Sequence, residues 1–305
     1  MINNNKLMKI IAGSASEELS KNLSLITDTH ILQTNLKRFH DGEIFVEIQE
    51  KIENDTVCIV QSTASPVHDN LIELLLLVDA AKRSGASRII AIIPYFGYSR
   101  QDRQMSCSSS IGVSVIAKIL SNSYIDEIIT FDFHSVQLAG FFDINAININ
   151  PDQMVLKVLS KYYSEINCKD IVLISPDIGG AKNLKNIAYQ SNHPISIVDK
   201  HRVHDVCMAT NLLGADVRNK HCIIIDDILD TGNTLCAAIK LLYDNGAKIV
   251  DAYISHAILS NNAVQLIQNT NINKIYYTDT IEHKVKLPSN FVKLFIGNLL
   301  AKYIR

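Results

Sequence analysis

The chain has 305 residues, 47% of them hydrophobic, and a formal net charge of −2. That is length enough for about two globular domains, and the near-neutral charge argues against a nucleic-acid or polyanion binder. The longest apolar stretch, residues 71–78, is interrupted by Glu73 and closed by Asp79, so no membrane span is expected. The start, MINNNKLMK, lacks the apolar core of a signal peptide. A cytoplasmic protein is expected, with its six cysteines (58, 107, 168, 207, 222 and 236), which show no paired metal spacing, as reduced and mostly structural thiols.

Strand-like and helix-like runs alternate from the beginning, the pattern of an α/β fold with a mainly parallel sheet. Residues 9–12 read as strand and 17–26 as amphipathic helix. KRFHDGE, 37–43, is a turn with an exposed aromatic and two acids that by itself could be just a hairpin. Residues 57–60 form a strand, 70–83 a helix with a broad apolar face, and 88–93 a strand stopped by Pro94. PYFGYSRQDR, 94–103, then sets two arginines and three aromatics around a glycine, a mixture suited to polyphosphate oxygens beside a flat base. Residues 114–120 read as helix, 127–131 as strand ending in Asp132-Phe133-His134, and 151–163 as helix.

Residues 171–180 pass from an apolar strand into Ser175-Pro176-Asp177-Ile178-Gly179-Gly180. Ligands of such sheets bind beyond the carboxyl ends of the strands, so a His and an Asp brought together from two strand ends would bind a divalent ion, directly or through water. Taken alone, His134 reads as a satisfied structural histidine. VDKHR, 198–202, places Lys200 and Arg202 just after another strand, ordinarily a solvated surface pair.

CIIIDDILDTGNTLCAAIKLL, 222–242, is the most informative stretch. Its apolar run, 222–225, is too short for a helix and fits a strand buried on both faces. Asp226 and Asp227 follow where that strand runs out. Asp230, Thr231, Gly232, Asn233 and Thr234 then lead into a helix N-terminus, where free N–H groups and the helix dipole favour an anion. Acceptors for vicinal hydroxyls beside an N–H cradle suit both ends of a ribose 5-phosphate. No lysine follows the glycine, so this is not a Walker loop. The plainer alternative is a helix capped by Asp230 or Thr231 beside a solvated acid pair.

The second half repeats the first. Cys58 and Cys222 open similar strands, and Gly85-Ala86 and Gly246-Ala247 close the following helices at nearly the same offset; residues 9–19 likewise match 170–184. Two similar domains are expected, 1–148 and 149–305, with the last ~15 residues packing back on the first. The first-half counterpart of the sugar loop, QSTASPVHDN from Gln61, has neither acid pair nor glycine, so only the second copy should bind the sugar phosphate.

Together these stretches resemble the ribose-phosphate pyrophosphokinases over nearly the whole chain. The resemblance is carried by RFHDGE (38–43), QSTASPVHDNLIELLLLVDA (61–80), IPYFGYSRQDR (93–103), DFH (132–134), GFFD (140–143), SPDIGG (175–180), VDKHR (198–202) and DDILDTGNT (226–234). The last is shared with the phosphoribosyltransferases at large. The resemblance implies two phosphoribosyltransferase-like domains and transfer of the diphosphoryl group of ATP to the anomeric hydroxyl of ribose 5-phosphate. It assigns Asp226, Asp227, Asp230, Thr231, Gly232, Asn233 and Thr234 to the sugar phosphate, with Arg202 also at that substrate. Phe39, Asp41, Gly42 and Glu43 would meet the adenine of an ATP on the neighbouring subunit, with Arg100 and Gln101 at the nucleotide.

His134 and Asp177 would serve a Mg2+ site, with Asp132 a further candidate, and Lys200 and Arg202 match the mobile catalytic loop. No general base stands out; Asp227 is the nearest candidate. The family forms hexamers built from dimers. Its allosteric anion site draws on basic residues after RQDR and on a longer C-terminal tail. Here 104–110 carries no positive charge, Ser114 stands where lysine is common and the chain stops at LLAKYIR, so weak control by ADP and phosphate is expected. The rival readings are a phosphoribosyltransferase and a catalytically silent regulatory homologue.

Overall fold

The computed structural model describes residues 8–203 and 206–304, with backbone alone at 200–203 and 206–210. The chain opens with β1 (Met8–Ala12), α1 (Glu17–Thr27), β2 (His30–Ile31), β3 (Thr34–Arg38), β4 (Ile44–Ile48), β5 (Thr56–Val60) and α2 (Val67–Arg83). Next come β6 (Arg88–Ile93), α3 (Gly112–Ser121), β7 (Glu127–Phe131), β8 (Asn145–Ile149), α4 (Asp152–Tyr162), β9 (Ile171–Ser175) and α5 (Ala181–Ser191). The remainder holds β10 (Ile195–Val203), β11 (Val206–Gly214), β12 (His221–Leu229), α6 (Asn233–Asp244), β13 (Ile249–Ala257), α7 (Ala263–Gln268), β14 (Ile275–Thr278), β15 (Phe291–Leu294) and α8 (Gly297–Leu300).

Two compact units result. The first runs to Asn150 and takes back Asp279–Glu282 and the chain from Phe295, so that α8 packs on α1; the second holds Pro151–Thr278 and His283–Leu294. The first unit's sheet is ordered β2-β1-β5-β6-β7-β8, every pair parallel. The second is ordered β11-β10-β9-β12-β13-β14-β15, parallel except for the β10–β11 hairpin. Leaving β11 aside, the second sheet repeats the first strand for strand, the topology that the repeated sequence leads one to expect.

Strands covered on both faces need continuous apolar runs, and Val57–Val60 and Cys222–Ile224 are fully buried. On α2 the residues Leu71, Leu74, Leu77, Val78 and Ala81 recur at helical spacing and face the core of the first unit. Burial pushes the Cys58 and Cys222 thiols up to about 12, which keeps them protonated and inert. Cys107, Cys168 and Cys236 are also free thiols, and the side chain of Cys207 lies outside the description. Among the described residues no helix is long and apolar enough to cross a membrane.

Three local expectations are corrected. The acid pair lies within β12 rather than after it. Pairing with β9 stops at Ile224–Ile174, but the long β13 carries the ladder on to Leu229–Ala257, which holds the charged residues in strand geometry. Lys200 and Arg202 likewise lie on a strand, β10, opposite Ala209 and Cys207 across a bulge at Asp199/Lys200, where a loop was expected. Tyr95 and Phe96 of the PYFGYSRQDR stretch are buried, Phe96 meeting Phe133 and Phe142 edge-on at 5.6 Å each, so they build the core instead of a platform for a base.

Candidate active site

In the second unit the site starts from that half-released strand. Asp226 and Asp227 are partly exposed on the stretch of β12 that has β13 on one side only, and Asp227 N–H donates to Asp226 Oδ1 at 3.1 Å. Leu229 and Asp230 are pinned through their carbonyls, which accept N–H bonds from Ile258, Leu259 and Ser260 in the loop after β13. Gly232 is the N-cap of α6, with φ +84°, and has no side chain to occupy the first N–H groups of the helix.

Asn233 is the first helical residue; it and Thr231 are exposed, and Thr234 is half-buried. Asn233 needs no left-handed backbone, because within 226–234 the positive φ is taken by Gly232. The free N–H groups and positive dipole end of a twelve-residue helix make an anion cradle next to two carboxylates.

Also in this unit, Asp177 sits between β9 and α5. Its Oδ1 accepts the Gly180 N–H at 3.0 Å and its carbonyl accepts Ser175 Oγ at 2.6 Å, so one oxygen shapes the turn while the residue stays partly exposed. The side chains of Lys200 and Arg202 lie outside the described residues.

The first unit presents two loops. The β3–β4 hairpin ends in a formed tip: Phe39 N–H donates to Glu43 O at 2.8 Å, Gly42 N–H to Phe39 O at 3.0 Å and Glu43 N–H to Asp41 Oδ1 at 3.1 Å, with Gly42 at φ +97°. Phe39 is 53% exposed, its ring edge-on to Phe45 at 6.1 Å. Arg38 braces the tip, donating to Gly42 O at 2.9 Å and pairing with Asp69 on α2 at 3.0 Å. Arg100 and Gln101 are exposed, and Gln101 N–H donates to the carbonyl of Tyr98, whose hydroxyl meets His68 Nε2 at 2.7 Å.

His134 is exposed after β7, and Asp132, 6% exposed, takes φ +49° with its N–H on Ile149 O. Among the described residues no group of three or more His, Cys, Asp or Glu is placed to hold a metal. The carboxylates of Asp132 and, in the other unit, Asp177 are the kind of oxygen donor that Mg2+ takes, one or two of them beside phosphate oxygens and water, whereas the His134 imidazole would serve such an ion through a bound water.

Residues 8–123 match the N-terminal domain of ribose phosphate pyrophosphokinase and residues 145–285 match the phosphoribosyl transferase domain. The ribose-phosphate pyrophosphokinase of Vibrio cholerae is 38% identical over 303 residues, 98% of this chain and 95% of that protein. That of Thermosipho africanus is 39% identical over 298 residues, 97% and 93% of the two chains. The chain belongs to the ribose-phosphate pyrophosphokinase family. It is thus a member of a family of enzymes, transferases of nucleotide biosynthesis that use ATP and ribose 5-phosphate. The crystal structure of phosphoribosylpyrophosphate synthetase from Mycobacterium smegmatis superposes with a TM-score of 0.90 at 30% identity, covering 98% of both chains.

Several residues that brace these loops were not singled out in the sequence. Asp69 and His68 anchor the two loops of the first unit to the start of α2, and nothing in their spacing shows it. Glu73 did carry a signal: it is an acid inside the apolar stripe of α2, with buried Asn70, Leu74 and Leu77 on the same face.

Proposed function

We propose that this chain is an active ribose-phosphate diphosphokinase, transferring the diphosphoryl group of ATP to the 1-hydroxyl of ribose 5-phosphate to give 5-phosphoribosyl 1-diphosphate and AMP. The observation that carries the reading is the β12–α6 segment, in which a one-sided strand bearing Asp226 and Asp227 runs into a glycine-capped helix N-terminus. Asp226 and Asp227 accept hydrogen bonds from the sugar hydroxyls, and the N–H groups of 230–234 hold the 5-phosphate. Phe39 packs on adenine, with Asp41, Gly42 and Glu43 reading its edge on a neighbouring subunit's nucleotide, and Arg100 and Gln101 hold the nucleotide's polar atoms.

His134 and Asp177 are proposed Mg2+ ligands, with Asp132 a further candidate; magnesium when bound would neutralise phosphate oxygens and lower repulsion between the anionic substrates. Lys200 and Arg202 stabilise charge developing between the β-phosphorus and departing AMP, with Arg202 also touching the sugar phosphate. Positioning and charge neutralisation supply the acceleration, and each such donor is typically worth about 3–4 kcal/mol of barrier. A cytoplasmic homohexamer built from dimers, each chain divided into its two domains between residues 148 and 149, completes the proposal.

The test is to incubate the pure protein with ATP, magnesium and ribose 5-phosphate and assay AMP and the pyrophosphorylated sugar. Absence of AMP over a range of phosphate and magnesium concentrations sinks the proposal in favour of a silent homologue. Turnover only with a base and the activated sugar would favour a phosphoribosyltransferase.

A further inference from the structure

Glu73 is 5% exposed, a carboxylate in a place where burial is costly unless donors surround it. The donors are present. Oε1 accepts the Ser14 N–H at 2.7 Å and Gln61 Nε2 at 2.9 Å, and Oε2 accepts the Ser14 hydroxyl at 2.6 Å. Gln61 is held in turn, its Oε1 accepting the Ala15 N–H at 3.0 Å. Ser14 and Ala15 belong to the loop between β1 and α1, immediately before Ser16, the N-cap of that eleven-residue helix. A backbone N–H, a hydroxyl and an amide converging beside a helix N-terminus are the donor set of an oxyanion cradle, and a carboxylate sits in it.

Two further observations fit. Ser62, fully buried, donates its N–H to Ser16 Oγ at 2.9 Å, while its own hydroxyl has no hydrogen-bond partner among the described residues, so donor capacity beside the loop exceeds what Glu73 uses. Gly13 is what lets Gln61 reach in, since a Cβ there would stand 2.2 Å from Gln61 Oε1. In the repeated strand order the β1–α1 loop is the equivalent of the β9–α5 loop that carries Asp177, at the carboxyl edge where such sheets bind ligands.

We propose that the β1–α1 loop is a second oxyanion site of this chain, held closed by Glu73 as an internal ligand. It takes a small anion of the carboxylate or phosphate class once that side chain is gone. Ser14 is exposed, so solvent ions can reach the loop.

The probe is sodium formate, the size of the group removed, against sodium chloride at equal ionic strength. Glu73→Ala is expected to lower Tm by several degrees, and formate to recover about half of that loss saturably. Wild type and Glu73→Gln, whose side chains fill the cradle, are expected to respond equally to the two salts. Recovery no better in formate than in chloride, or an equal formate response in Glu73→Gln, overturns the proposal. Should Glu73→Ala not fold on expression, the yield of folded protein on refolding in formate against chloride reads the same comparison.

Discussion

Gly232→Ala tests the sugar-phosphate cradle at one backbone angle. Glycine holds φ +84° there, and an L-residue in that left-handed region costs about 1–2 kcal/mol. The added Cβ would stand 3.3 Å from Ile267 Cγ1 and 3.5 Å from Cδ1, and Ile267 is fully buried, so it yields with difficulty. Two responses are open to the chain. If the loop keeps its shape, the strain appears as about 1–2 kcal/mol of lost stability in urea unfolding. If the backbone rotates to relieve it, the N–H groups of α6 turn away from the phosphate. Hydrogen bonds to a charged group are worth about 1.5–3 kcal/mol, so losing one raises KM for ribose 5-phosphate about tenfold or more. KM for ATP should stay within about twofold, since the nucleotide is assigned to other loops. Initial rates of AMP formation against each substrate, with a urea titration, read all three quantities. Unchanged stability together with an unchanged KM for ribose 5-phosphate would refute the cradle.

Asn233→Gly, by contrast, alters an exposed helical residue with no special φ, and KM for ribose 5-phosphate should move only a few-fold; a hundredfold shift, about 2.8 kcal/mol, would give the asparagine side chain its own role. Lys200→Ala should leave ribose 5-phosphate binding intact while kcat collapses, and a raised KM with normal kcat would make Lys200 a binding residue only. Asp251, 1% exposed, accepts hydrogen bonds from Tyr163 Oη (2.5 Å), His221 Nε2 (2.7 Å), Asn273 Nδ2 (2.8 Å) and Lys274 N–H (2.8 Å). Burial pushes its carboxyl up, but the bonds from His221, Tyr163 and Asn273 and the charge of His221 prevail and hold it below the ordinary value. A lowered folded-state value contributes stability above the unfolded value of about 3.9 and loses it as pH falls through the folded one. Asp251→Ala should therefore cost about 3–5 kcal/mol at pH 7, with a gap to wild type that stays open to about pH 4; closure between pH 7 and 5, followed by tyrosine fluorescence in urea, contradicts this. ADP titrated at saturating ATP should inhibit weakly and without cooperativity: the N–H groups of Met105 and Ser106 are already taken by Ser109 Oγ, and no cation lies in 104–110. Strong cooperative inhibition would overturn that expectation.

The alternation of strands and helices and the repeat were legible because buried parallel strands demand unbroken apolar runs and their helices demand stripes. The start of α6 was legible because small and hydroxyl residues at 230–234 lead into an amphipathic run. What escaped depends on partners distant in sequence. Asp226 and Asp227 look like a strand end until β13 supplies a ladder beyond the reach of β9, and the same holds for Lys200 and Arg202 opposite β11. Tyr95 and Phe96 look available for stacking until Phe133 and Phe142 close over Phe96. Glu73 could have been found, since an acid on an apolar stripe must be meeting donors, but only the fold shows that Ser14, 59 positions away, supplies them.

The identity of the nucleotide product is the most direct measurement. With ATP, magnesium and ribose 5-phosphate, 31P NMR should show AMP rising in equal amount with a new diphosphate ester on the sugar. ADP appearing with a sugar monophosphate ester instead, or no turnover at all, would contradict the assignment of diphosphoryl transfer to this chain.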